Sequence, residues 1–140
     1  MGADKLKKKK LIILLIAFFV LVSGCSFQAQ KVTIQKRTGV ENVFEDYREI
    51  TQRKHVKKAI EIVKNANWEK DKAEMKGFPD YQFQFPFKND KNAKIASYSL
   101  WISQNGENLE IVTDSDRYVK LAKQDSADLY EILVGDTLEK

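Results

Sequence analysis

This sequence has almost no cysteine or histidine, and its folded part has no excess of either charge. The single cysteine, Cys25, has no partner, so an internal disulfide and a multi-cysteine metal cluster are both excluded. The single histidine, His55, would have to serve any Ser-His-acid site, and a zinc site lacks ligands. The chain carries 24 basic and 20 acidic side chains, a net charge of +4. That excess belongs wholly to residues 1–24, which hold five lysines and one acid, Asp4. Residues 25–140 therefore balance, which excludes a strongly basic nucleic-acid-binding domain and an acidic disordered tail. No repeat is visible, so 140 residues make one domain, or one domain with a tail.

What the chain does have is an N-terminal address. Lys5 and Lys7 to Lys10 give a basic n-region, followed by twelve unbroken apolar residues from Leu11 to Val22. As a helix these would span about 18 Å, too short for a hydrocarbon core of about 30 Å. The length suits a signal-peptide h-region. A buried core helix fits less well, because such helices are seldom apolar on every side. The run ends Val22-Ser23-Gly24-Cys25, which resembles the lipobox of bacterial lipoproteins: an aliphatic residue, two small residues, then cysteine. The resemblance implies cleavage between Gly24 and Cys25, and a diacylglyceryl group with palmitate-type chains on the Cys25 thiol. Two or three acyl chains anchor stably where one alone is marginal. The expected organisation is a signal peptide over residues 1–24 and a lipidated cysteine with tether over 25–30. One small domain follows over 31–140, on the extracytoplasmic face of the cell membrane.

Within that domain the hydropathy pattern predicts an α+β fold. Alternation marks strands over 31–38, near 47–50, and over 81–87, 94–103, 108–113 and 117–121. Val56, Ala59, Ile60 and Val63 have helical spacing, so 52–66 reads as an amphipathic helix with Thr51 as its N-cap. Residues 124–134 form a second helix, closed by Gly135. Asn105-Gly106 signals a tight hairpin, and Pro86 places its strand, or at least that end of it, at an edge or a bulge. Short links favour a largely antiparallel sheet of about 4–6 strands ending in a β-meander. Both helices should pack on one face of it. Ala122 stands where a Ser or Thr would cap the last helix.

Three segments carry a family resemblance: Pro79-Asp80-Tyr81-Gln82-Phe83, Ser99-Leu100-Trp101-Ile102 leading into Asn105-Gly106, and Tyr118-Val119-Lys120-Leu121. Over residues 44–134 the chain resembles small bacillus-type lipoproteins with a YhfM-like domain. That family carries no assigned activity, so the resemblance supplies no catalytic residue.

The remaining chemistry is sparse. His55 borders the apolar stripe of the first helix and reads as a partly buried boundary residue. Glu45, Asp46 and Glu49 cluster, as do Asp114 and Asp116, and a carboxylate pair for hydrolysis cannot be judged from spacing alone. Asp114-Ser115-Asp116 starts like a calcium loop, but Tyr118 stands where a third oxygen ligand is needed, so an Asx-closed turn is the simpler reading. Arg53, Lys54, Lys57 and Lys58 form either a solvated helix face or a contact for anionic headgroups. Trp101 alternates with Leu100 and Ile102 and so points away from the core, with Ile95 and Val112 near it. It is either an exposed interface anchor or part of a second small core covered by the segment that begins at Trp68.

The expectation is a non-catalytic, monomeric, membrane-anchored domain that binds an envelope protein or peptide through Trp101, Ile95 and Val112. No cofactor, metal or nucleic acid enters this reading. A module binding a small ligand or wall fragment through Tyr81, Phe83 and Phe85 is the alternative, and a carboxylate hydrolase is the third.

Overall fold

The structure is a computed structural model that describes residues 31–70, 74–86 and 95–138. The expected signal peptide, Cys25 and the expected tether lie outside the described residues. Six strands, β1 (Val32–Arg37), β2 (Phe44–Ile50), β3 (Tyr81–Pro86), β4 (Ile95–Ile102), β5 (Leu109–Thr113) and β6 (Tyr118–Lys120), form one sheet. Its order is β2-β1-β3-β4-β5-β6, and every neighbouring pair is antiparallel. Two helices, α1 (Arg53–Asn65) and α2 (Lys123–Val134), pack on one face, so the fold is α+β with a C-terminal meander. Among the described residues no helix is long and apolar enough to cross a membrane.

Period-two alternation builds the core. Val32, Ile34, Tyr81, Phe83, Phe85, Leu100, Ile111 and Val119 all point to the helix side and are buried. Val56, Ala59, Ile62 and Val63 of α1 and Leu129 and Leu133 of α2 close over them. The two helices run across the strands. α1 starts beside β2 at one edge, and four residues past its end Glu69 pairs with Tyr118 at the other edge. α2 begins after β6 and returns to β2, where the Tyr47 hydroxyl donates to the Val134 carbonyl at 3.3 Å. The Arg48 guanidinium lies against the end of α2, where a Cβ at Gly135 would collide with it. A cation there is favoured by the helix dipole. Gly135 itself sits at φ +79 and closes the helix through its N–H on Glu131.

Local details depart from the sequence pattern in readable ways. β2 is longer than alternation indicates. It is an edge strand with a bulge opposite Ile34/Gln35, so only Ile50 is fully buried and the period is lost. β3 is central, and only its Pro86 end is unpaired on one side, as an edge at that end requires. Pro86 is tolerated because it is the last residue of the strand, and β1 pairs only as far as Gln84. Gln52, not Thr51, occupies the N-cap of α1, without a side-chain bond. In the β4–β5 turn only Gly106 takes a positive φ (+72), so both central residues do not adopt the mirror-turn geometry. Ser126, fully buried on α2, accepts from the Leu109 N–H at 2.9 Å and donates to the Leu121 carbonyl at 3.3 Å, which ties the helix to β5.

Three tyrosines make the fold sensitive to alkali. Burial pushes the Tyr81, Tyr98 and Tyr118 hydroxyls above the usual tyrosine range. The Tyr130 hydroxyl reinforces this at Tyr81, Asp114 at Tyr98, and the hydrogen-bonded Glu110 carboxylate at Tyr118. A raised folded-state value means the native state keeps protons that the unfolded chain releases near pH 10. The resulting stabilisation is complete below about pH 10 and is lost as pH rises further. The melting temperature should therefore hold level to about pH 9 and fall above about pH 10, and Tyr98→Phe should make that fall shallower. An alkaline slope identical in wild type and Tyr98→Phe contradicts the assignment.

Candidate functional site

The β1–β2 hairpin, the start of β3 and the end of β4 lie at the end of the sheet opposite Lys31. Arg37 closes β1 there and holds three segments together. Its Nε donates to the Pro79 carbonyl at 3.0 Å and its Nη1 to the Gly39 carbonyl at 2.7 Å, while Nη2 lies 3.6 Å from Asp80 Oδ1. The other oxygen, Asp80 Oδ2, accepts from the Ile102 N–H at 2.8 Å. The β1–β2 hairpin, the start of β3 and the end of β4 are thus fixed to one guanidinium. Thr38 and Val43 close the hairpin through the Thr38 N–H at 2.8 Å. Gly39 and Gly77 both sit at positive φ, +62 and +72, with open space where a side chain would go. Their backbone shape, not crowding, calls for glycine.

Apolar side chains surround this polar knot without being covered. Val40 is 88% exposed, Val43 51% and Phe78 47%. Val40 follows Gly39 and Phe78 precedes Pro79, so the shared guanidinium brings the two loops side by side. Single exposed apolar residues are ordinary, but several held together on one rigid end mark a contact surface.

The predicted surface of Trp101, Ile95 and Val112 does not form as such. Trp101 does point away from the helices, paired across the sheet with Glu110. It is half-buried, and its indole N–H donates to the Gly77 carbonyl at 3.2 Å. Val112 is only 6% exposed, so it offers nothing to a partner. It sits opposite Tyr118, whose hydroxyl reaches Glu110 at 2.6 Å and draws its ring over the sheet. Ile95 is placed by its backbone alone, opposite Pro86. Trp101 is thus held from that side by Gly77, in the loop that leads into β3.

The other candidates are dispersed. Tyr81, Phe83 and Phe85 are buried in the main core, so they cannot line a ligand site. His55 is exposed, not a boundary residue, because its position falls just outside the arc that α1 buries. Glu45, Asp46 and Glu49 lie on β2, where Gln35 donates to Asp46 and Lys31 pairs with Glu49. Asp114 and Asp116 lie in the β5–β6 turn at the opposite edge, so the two acidic clusters do not converge. That turn is closed by Thr113, whose hydroxyl accepts from the Arg117 N–H. Among the described residues no group of three metal-ligating side chains comes together, and no buried side-chain nitrogen or oxygen lacks a partner.

Comparison with known proteins gives one match. The family model described as YhfM protein matches residues 26–137, a span that opens one residue after Cys25. No curated protein and no solved structure matches the chain.

Proposed function

The chain belongs to the YhfM protein family, and from that starting point we propose that it is a membrane-anchored lipoprotein whose domain binds a protein or peptide partner without catalysis. The lipid on Cys25 holds the domain at the extracytoplasmic surface, and the domain works as a sensor, inhibitor or accessory subunit. The observation that carries the binding role is the apolar end built on Arg37, with Val40, Val43 and Phe78 left uncovered. Lys31, where the tether joins, pairs its strand with Ile50 at the other end of the sheet. A domain tethered there presents the Val40–Phe78 end outward. The half-buried Trp101 supports that end from below through Gly77 and is not itself the anchor.

Site-specific photo-crosslinking in intact envelopes tests this. A crosslinker at position 40 or 78 should capture one defined adduct, and one at Lys120 should not. The double substitution Val40→Ser with Phe78→Ser should weaken partner capture about tenfold, as loss of an interface anchor does. Because both side chains are exposed, the melt should change by less than about 0.5 kcal/mol. Adducts of equal yield from positions 40, 78 and 120 would show that this end is not the contact.

A further inference from the structure

We infer that the solvent face of α1 docks on the anionic headgroups of the membrane that receives the Cys25 lipid, so that the helix-covered side of the sheet faces the bilayer. The inference rests on the lipoprotein reading and adds an orientation to it. Its first support is position. β1 starts at Val32 opposite Ile50, and α1 begins three residues after Ile50. The helix then crosses the sheet near this end, since Glu69 beyond its C-terminus meets Tyr118 next to the β5–β6 turn. The residues from Cys25 to Lys31 reach at most about 20 Å even when fully extended. The end that carries α1 is thus the end that must lie near the lipid.

Its second support is charge. Arg53, Lys54, Lys57, Lys58 and Lys64 occupy the exposed side of α1, with Glu61 the sole acid on the helix. These five cations form no ion pair with any described residue. Their arrangement works against the helix itself. Arg53 with Lys57 and Lys54 with Lys58 are like-charge pairs one turn apart, which destabilise an isolated helix. Cations in the first turn also oppose the helix dipole, and no acid is present there to offset them. An external anionic surface relieves both costs. Within the stripe Glu61 offsets one of the five charges, while of the other acids at this end Glu49 is taken by Lys31 and Glu69, Asp114 and Asp116 belong to the far edge of the sheet. A bilayer surface fits better than a point anion, because the cations are spread along the whole helix.

The test uses the full lipidated chain reconstituted in phosphatidylcholine vesicles, with and without phosphatidylglycerol. Lysine acetylation is read by mass spectrometry. In phosphatidylglycerol vesicles at low salt, Lys54, Lys57 and Lys58 should label about fivefold more slowly than in phosphatidylcholine, the factor expected for a basic side chain held at an anionic surface. Lys76 and Lys120, near the other end of the sheet, should label equally in both. High salt should abolish the protection, and Lys57→Glu with Lys58→Glu should abolish it at Lys54. Protection that is absent, that appears equally in phosphatidylcholine, or that extends to Lys76 and Lys120 overturns the orientation. An alkaline wash separates the two levels: a chain stripped from the vesicles removes the lipoprotein reading and this inference with it, whereas a retained chain with uniform labelling removes the orientation alone.

Discussion

Phe83→Ala should lower the unfolding free energy by about 3–5 kcal/mol, the range for deleting a buried aromatic ring. Phe83 is fully buried on the central strand β3, between Ile34 of β1 and Tyr98 of β4. Its ring stacks on Tyr98 at 5.0 Å and 16°, and meets Phe85 edge-on at 5.7 Å. Phe85 in turn touches Tyr98, so the three rings form a closed cluster that has no slack to fill a void. In a domain of this size such a loss corresponds to a fall in melting temperature of more than about 12 °C. Phe78→Ala, at an uncovered ring, should cost less than about 1 kcal/mol. Thermal and urea melts of the two variants decide the matter. A loss below about 1 kcal/mol at Phe83 would place the aromatic stripe outside the core.

The same stripe explains what could be read in advance. Tyr81, Phe83 and Phe85 alternate with glutamines, and a strand buried on one face requires that pattern, so this part of the core was legible. The position of β3 between β1 and β4 was not, because β2 and α1 intervene in the chain and nothing local records a pairing made across them. Alternation also put Trp101 correctly on the face away from the helices. It could not say that Val112 on that face is shielded, because the Tyr118–Glu110 bond that draws a ring beside it leaves no mark in local periodicity. Val112 was misread for this reason. The exposed trio was invisible for the opposite reason: Val40, Val43 and Phe78 stand in turns, where apolar residues follow no rule. The pairing of β1 with β3, locked by Arg37 on the nearby Gly39 carbonyl and the distant Pro79 carbonyl, brings the two turns together.

Cys25→Ala should have the largest effect of all on where the protein resides and almost none on how it folds. Cys25 is the sole thiol in the chain, so no second residue can accept a diacylglyceryl group in its place. Forming the thioether costs that thiol its proton, and alanine offers no nucleophile. The variant should therefore take up no fatty-acid probe in metabolic labelling, and should accumulate as uncleaved precursor or as a released form. The described core begins at Val32, seven residues beyond the substitution, and among the described residues every buried contact lies after it. A released form should accordingly melt at the same temperature as the anchored protein. It should also lose the α1 protection expected on anionic vesicles, because the stripe alone acts through charges screened within about 8 Å at physiological salt. Fatty-acid label of equal intensity on the variant would end the lipoprotein reading. A released form with a lowered melt would show instead that the segment before Val32 contributes to the fold.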